Sequence, residues 1–252
     1  MLSRSQVHID TAVTSNIQSV AQITKLAGNP FQCTYQFGNT HRGLCSISLQ
    51  NAQIPIGFYN VRAPFNTIVI SGTTYTITPG NYTTLAALNA AIVTYTSGSV
   101  ALSTLGSFAA SSVTGVVTFT AAGGNKSLGP VTKNSLLSFL GYTHTSTTAV
   151  AATLTGTYPY TLNWDTYIII WIENIGQSSM EPVQITFKLP LSSLTNNVLY
   201  WSVGSQNNQY MQVFNKNTRI DRLNIVFLDR FGNILNNNGI DWSMSFDIES
   251  SN

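Results

Sequence analysis

The carboxylates of this chain are few, and their spacing suits strand faces and turns better than acid–base catalysis. Only nine Asp and Glu side chains occur in 252 residues, and none lies between Asp10 and Asp165. Hydrolysis of a glycoside, for example, needs two carboxylates in one cleft. Asp241, Asp247 and Glu249 alternate with apolar residues, so we predict that they point from a strand into solvent. The pattern therefore predicts no catalytic carboxylate pair.

The histidines and cysteines also lack the spacing that nucleophilic or metal chemistry requires. His8, His41 and His144 stand outside any Gly-x-Ser-x-Gly, His-Glu-x-x-His or Cys-x-x-Cys motif. Cys33 and Cys45 are too few for a disulfide framework, so we expect two reduced, buried thiols. A Ser-His-Asp triad assembled from distant residues stays open as a minor alternative. We predict that the protein is not an enzyme, with no catalytic, cofactor-binding or metal-binding residues and no cofactor.

Two further features invite a ligand-binding interpretation. Gly123–Ser127 is rich in glycine and ends in Lys-Ser, but it lacks the Gly-x-x-x-x-Gly-Lys spacing of a phosphate loop, so we predict a turn. Tryptophan rings can stack on sugars, yet Trp171, Trp201 and Trp242 fall within strand patterns, where packing is the simpler explanation. Trp164 precedes a strand, and it remains the candidate for a sugar platform.

The charge content bounds the class of protein. Charged residues make up 8% of the chain, hydrophobic residues 43%, and the net charge is +2. Such a chain is too apolar for disorder, and it has no Lys/Arg cluster of the kind that binds nucleic acid. We favour a surface buried against neighbours in an assembly over the alternative, a neutral Ser/Thr/Asn surface. No apolar run reaches the ~20 residues of a membrane span, and Met1–Gln6 lacks a signal-peptide core. We therefore expect a cytosol-like compartment.

Strands must position most of these residues. Asp241–Ile248 alternates Trp, Met, Phe and Ile with Asp and Ser, a period of two that predicts a half-buried strand. Tyr167–Ile172 is apolar on both faces and predicts a central strand. We therefore predict an all-β fold, a single eight-stranded jelly roll, preceded by an extended arm with a strand at Val7–Ile9. The predicted body strands are 31–37, 44–50, 167–173, 183–189, 198–203, 209–214, 222–228 and 241–248.

The middle of the chain differs in composition from the rest. Between Ala63 and Trp164 the only charged residues are Lys126 and Lys133. We predict that residues 64–158 form a small α+β insertion domain between the second and third strands. The N-terminal arm then covers residues 1–30, and the jelly-roll domain covers residues 31–63 and 159–252.

Turn and helix signals define the elements of this insertion. Gly72-Thr73 between two Thr-rich apolar runs predicts a β-hairpin over 67–78. Leu85, Leu88, Ile92 and Tyr95 have helical spacing after an Asn or Thr cap. Two strands are predicted near 100–103 and 113–120. A short helix is predicted at 135–140, ending at Gly141.

Several short segments, in order along most of the chain, carry a family resemblance. They are Ile54-Pro55 with Phe58–Val61, Thr67–Tyr75 with Gly80–Tyr82, Leu136–Tyr142, Ile185–Leu191, and Arg222–Asn233 with Asp241–Ser243. Together they resemble the penton, or vertex, proteins of virophages and related large double-stranded DNA viruses.

The resemblance implies a structural capsid protein without catalytic residues. It implies homopentamers at the icosahedral fivefold vertices of a virion, assembled in the host cytoplasm beside major capsid proteins of the double-jelly-roll type. The insertion domain is then a candidate for contact with the host or a fibre. The alternative function is a minor capsid or host-attachment protein with a carbohydrate-binding β-sandwich. A hydrolase on a β scaffold is the third hypothesis.

Overall fold

The computed structural model describes residues 2–12, 23–175, 183–191, 198–202 and 211–251. The chain is an all-β protein with antiparallel sheets, as predicted. It divides into two compact units, which we call the body (Met1–Phe58 with Asp165–Asn252) and the insert (Tyr59–Trp164). No helix within the described ranges is both long and apolar enough to cross a membrane.

The strands and helices follow one another along the chain with these bounds. The strands are β1 (Leu2–Asp10), β2 (Ile23–Leu26), β3 (Asn29–Pro55), β4 (Thr67–Ile70), β5 (Thr73–Ile77), β6 (Ile92–Tyr95), β7 (Gly98–Ala101), β8 (Gly106–Ala110), β9 (Val116–Ala121), β10 (Thr153–Pro159), β11 (Tyr167–Ile175), β12 (Val183–Pro190), β13 (Val198–Ser202), β14 (Met211–Leu228) and β15 (Ser243–Ser251). In the described residues the short α-helices are α1 (Leu85–Asn89) and α2 (Leu136–Phe139), and a 3-10 helix covers Leu102–Thr104.

The body sheet is built on a long ribbon of two strands. Its order is β1-β15-β3-β14-β11-β12, with β2 and β13 also paired to β3. Strand β3 has 27 residues and β14 has 18, and their pairing runs through several register shifts. One half of the ribbon continues to β11 and β12, and the other half continues to β15 and β1. The ring centroids of Phe187 in β12 and Phe246 in β15 lie 6.0 Å apart. Strands from the two sides of the sheet order therefore contribute to one core.

The structure confirms that the apolar residues of the predicted alternating segment at β15 face the core. Trp242, Met244, Phe246 and Ile248 are all buried in the body core. Strand β11 lies between β12 and β14, so its predicted central position is also confirmed. Each large apolar side chain buried in this way contributes roughly 1.5–3 kcal/mol relative to exposure.

We predict an extended N-terminal arm with one strand at Val7–Ile9, but the structure has two strands there and the first of them is longer. Strand β1 pairs with β15 from Leu2 to Asp10, and β2 pairs with β3. Among the described side chains of β1, Val7 and Ile9 reach the core, as expected for an antiparallel strand that packs on one face. Residues 13–22 lie outside the described ranges.

In two places, a pair of strands that we predict as separate forms one continuous strand in the structure. Residues 31–37 and 44–50 both belong to β3, and residues 211–214 and 222–228 both belong to β14. Gly43 has a φ of +60°, and β14 shifts register between Val213 and Arg222. These irregularities bend the ribbon without ending it. The predicted segments 203 and 209–210 lie outside the described residues.

The insert is built mainly of strands, with a four-stranded sheet (β4-β5-β6-β7) and a three-stranded sheet (β10-β9-β8). The predicted hairpin is confirmed as β4 paired with β5. The predicted short helix is confirmed as α2, and Ser135 caps it, since Ser135 Oγ accepts a hydrogen bond from Leu137 N at 3.2 Å. Gly141 follows the helix with a φ of +84°. Strand β8 was not predicted.

The predicted helix through Ile92 and Tyr95 is wrong beyond its first turn. Thr84 Oγ1 caps α1 by accepting from Ala87 N at 3.1 Å, but the helix ends at Asn89. The next element is β6, and Ile92 is 49% exposed. A run of β-branched residues favours a strand over a helix. The predicted strand at Val113 likewise begins only at Val116.

Candidate interaction surfaces

The three histidines each have a structural contact. His8 Nδ1 lies 2.9 Å from Ser245 Oγ. His41 packs edge-on against Phe37, and burial lowers its pKa. His144 Nε2 lies 2.6 Å from the carbonyl oxygen of Gly129. Within the described ranges, no group of three or more His, Cys, Asp or Glu side chains could hold a metal ion.

The candidate sugar platform is wrong, because Trp164 is 1% exposed. Its ring stacks on Phe139 with the centroids 4.0 Å apart, so no open face is left for a sugar. Cys33 is a free, buried cysteine, and burial raises its pKa to about 12. This thiol is therefore protonated and weakly nucleophilic at neutral pH. The side chain of Cys45 lies outside the described residues.

Part of the polar face at β15 is buried, contrary to the predicted solvent exposure, although Asp241 and Glu249 keep partial exposure. Asp247 is 7% exposed and accepts a charged hydrogen bond from Arg4 of β1. The hydrogen bond to Asp247 is the largest cause that raises the Arg4 pKa. Glu249 accepts from Ser46 Oγ of β3 at 3.1 Å. Since β15 lies between β1 and β3, its polar side chains pair with those of its neighbours.

We expect Asp247→Asn to lower the free energy of unfolding by about 1 kcal/mol, because Asn loses the charge that binds Arg4. Urea denaturation of the full chain measures this change. Asp221→Asn is the matched control, because the Asp221 side chain is 55% exposed and lies 3.9 Å from Arg222. The control should change stability by less than about 0.5 kcal/mol. Equal losses in both variants would contradict a stabilising contact between β1 and β15.

A shallow apolar groove lies on the outer face of the body sheet. It crosses β2, β3, β14 and β11 and has a volume of about 380 Å³. Leu26 and Ile234, both exposed, stand at its border, and Trp171 and Val226 contribute to its lining.

The loop that follows β14 has a rigid tip. The buried Asp229 carboxylate accepts hydrogen bonds from the backbone N–H groups of Phe231 and Asn233, at 2.8 and 2.9 Å. The tip presents Phe231, which is 47% exposed, and the Arg230 guanidinium lies over that ring at 4.6 Å from its centroid. We call Arg230 and Phe231 the Arg-Phe tip.

The same loop is fixed further along by a buried asparagine. Asn237 donates hydrogen bonds to the carbonyl oxygens of Pro55 and Ile240, each at 2.9 Å. It also accepts one from Gly57 N at 2.7 Å. A buried amide with all of these partners holds the loop against the end of β3, so the chain between β14 and β15 has a defined conformation.

A cleft with two carboxylates lies beside the start of β15. It has a volume of about 220 Å³ and includes Asp10, Gln53 and Asp241 in its lining. Asp241 Oδ1 accepts from Lys25 Nζ at 2.5 Å, and Asp10 Oδ1 accepts from the backbone N–H of Ala12. Tyr200 of β13 is paired in register with Gln53 and is 71% exposed. We call this region the Asp10–Asp241 cleft.

The comparisons with known proteins give a structural likeness and no match in sequence. No protein-family model matches the chain. No curated protein matches it either. Among solved structures, the chain is similar to the selenomethionine-labelled mavirus penton protein. The TM-score is 0.45 and the sequence identity is 10%, over 100% of both chains.

Proposed function

We propose that this chain is a structural capsid protein of a double-stranded DNA virus. In this proposal the body is a single jelly roll, and five copies form the penton that closes each icosahedral fivefold vertex of the virion. Neighbouring capsomers are major capsid proteins of the double-jelly-roll type, and assembly takes place in the host cytoplasm. The protein performs no catalysis. The insert serves contact with the host or with a fibre.

The family resemblance supports the capsid part of the proposal. Its segments form elements with defined positions in both units. Phe58, Leu136, Leu189, Phe227 and Trp242, one from each of five such segments, are all buried. The resemblance therefore involves residues on which the two cores depend.

Exposed apolar side chains are the observation that carries the assembly part. The body keeps six large apolar side chains exposed within its described ranges: Leu26, Tyr200, Val213, Phe231, Ile234 and Ile240. Leu26 and Ile234 border the same groove, and contiguous exposed apolar surface is typical of contacts between protein chains.

Native mass spectrometry of the purified full chain tests the proposal, with sedimentation velocity over a wide concentration range as the second measurement. We expect pentamers in equilibrium with monomers. A Tyr200→Ser/Val213→Ser variant should shift this equilibrium toward monomer, because its apolar contacts are lost. Thr74→Ser/Thr76→Ser, on strand β5 of the insert, is the control and should assemble normally.

A strictly monomeric protein at every concentration, with no incorporation into particles, would contradict the proposal. Binding of that monomer to a glycan array would instead favour the host-attachment alternative.

A further inference from the structure

We propose that the Arg-Phe tip of one copy binds in the Asp10–Asp241 cleft of the next copy. This inference rests on the proposed function, because it assigns the residues through which the copies of the ring recognise one another. The tip and the cleft share no residue, so one copy can use both surfaces in two separate contacts. Such head-to-tail contacts close into a ring when the rotation between copies permits it.

The tip has the chemistry of a binding anchor. In the described part of the chain, the Arg230 guanidinium packs over the Phe231 ring. The buried Nε of Arg230 has no hydrogen-bond acceptor there. The positive charge of Arg230 is therefore not neutralised there by a carboxylate. Arginine and aromatic residues dominate the binding energy of many protein interfaces.

The tip is also held in place before binding. Asp229 gives up solvent contact to bind the backbone N–H groups of Phe231 and Asn233. Asn237 fixes the other end of the loop against Pro55 and Gly57. A loop that is already ordered loses little conformational entropy on binding, so more of its contact energy appears as affinity.

The cleft has the complementary charge. It brings together the carboxylates of Asp10 and Asp241, and among the described residues Asp241 is paired with a cation, Lys25, whereas Asp10 is not. One net negative charge therefore remains for the Arg230 guanidinium. The exposed Tyr200 is paired in register with Gln53, which lines the cleft, and its ring offers apolar surface to Phe231. Charge complementarity thus selects a second copy of this chain as the occupant.

Charge exchange between the two surfaces tests the inference in the full chain. Arg230→Glu and Asp10→Arg should each lower the association constant on the order of 30-fold or more. The first places a carboxylate against the carboxylates of the cleft, and the second places an arginine against Arg230. The double variant Arg230→Glu/Asp10→Arg restores opposite charges and should recover most of the assembly. Arg230→Gln removes the charge with little change of shape, and it should show an intermediate loss. Circular dichroism verifies that each variant is folded.

Arg222→Glu is the matched control for a charge reversal on the body. Arg222 is an exposed residue of β14 beside Asp221, outside both the tip and the cleft, so its reversal should leave assembly unchanged. A monomeric wild type would overturn the proposed function itself. A pentameric wild type that is insensitive to Arg230→Glu, or a folded double variant that does not recover, would overturn only this inference.

Discussion

Trp242→Ala should destabilise the body by about 3–5 kcal/mol, because it removes a large buried ring and leaves a cavity. The ring packs against Phe227 with the centroids 5.1 Å apart, and its Nε1 donates to the carbonyl oxygen of Pro30 at 2.6 Å. The substitution therefore removes packing and also leaves a buried carbonyl without its donor. Urea denaturation followed by circular dichroism measures the loss, which we expect to reduce the yield of folded protein.

Tyr200→Ala is the control for the loss of an aromatic ring from the same sheet. Because Tyr200 is mostly exposed, its removal should change the free energy of unfolding by less than about 0.5 kcal/mol. The control is measured below the concentration at which copies associate. A similar loss in both variants would contradict the assignment of Trp242 to the core.

Local periodicity was sufficient to predict the elements whose pattern reports burial directly. The alternation of Asp241–Ile248 identified the core face of β15, and the doubly apolar Tyr167–Ile172 identified a central strand. The β4–β5 hairpin followed from the same reasoning, because Gly72 at a φ of +79° permits the tight turn. In each of these cases the information lies within about ten residues of sequence.

Lateral neighbours could not be predicted from one sequence. The polar face of β15 looked solvated because its pattern does not reveal that β1 lies beside it and places Arg4 against Asp247. Strand β1 is longer than predicted, because among its described side chains Val7 and Ile9 are the ones in the core and the apolar pattern is therefore short. Trp164 was misjudged for a related reason, since its position before a strand says nothing about Phe139, which covers its ring.

The interaction surfaces were also beyond the reach of sequence patterns. The segment between β14 and β15 is rich in Asn and Gly, which favour turns, and the structure has turns there. Which polar side chains become buried depends on tertiary contacts, such as those of Asn237 with Pro55 and Gly57. The Asp10–Asp241 cleft joins residues that are distant in sequence, on β1, β3 and the start of β15, so no local motif marks it.

Gly141→Ala should unfold the insert and leave the body folded. Gly141 has a φ of +84°, which costs a residue with a side chain about 1–2 kcal/mol. An added Cβ would also lie 1.9 Å from the carbonyl oxygen of Tyr158. That backbone cannot move away easily, because the N–H groups of Thr157 and Tyr158 both donate to the Gly141 carbonyl. We expect a total loss of roughly 3–5 kcal/mol in the insert.

Hydrogen exchange followed by mass spectrometry measures this effect, because it reports on the peptides of each unit separately. Gly123→Ala is the matched control: Gly123 has a φ of +69° but no atom within 4 Å of an added Cβ, so only the backbone cost of about 1–2 kcal/mol applies. Selective loss of protection in residues 59–164 would fit two units that each have their own core. Simultaneous loss in β3, β14 and β15 would instead mean that the two cores unfold as one cooperative structure, and the insert could not then be a separate domain carried by the body.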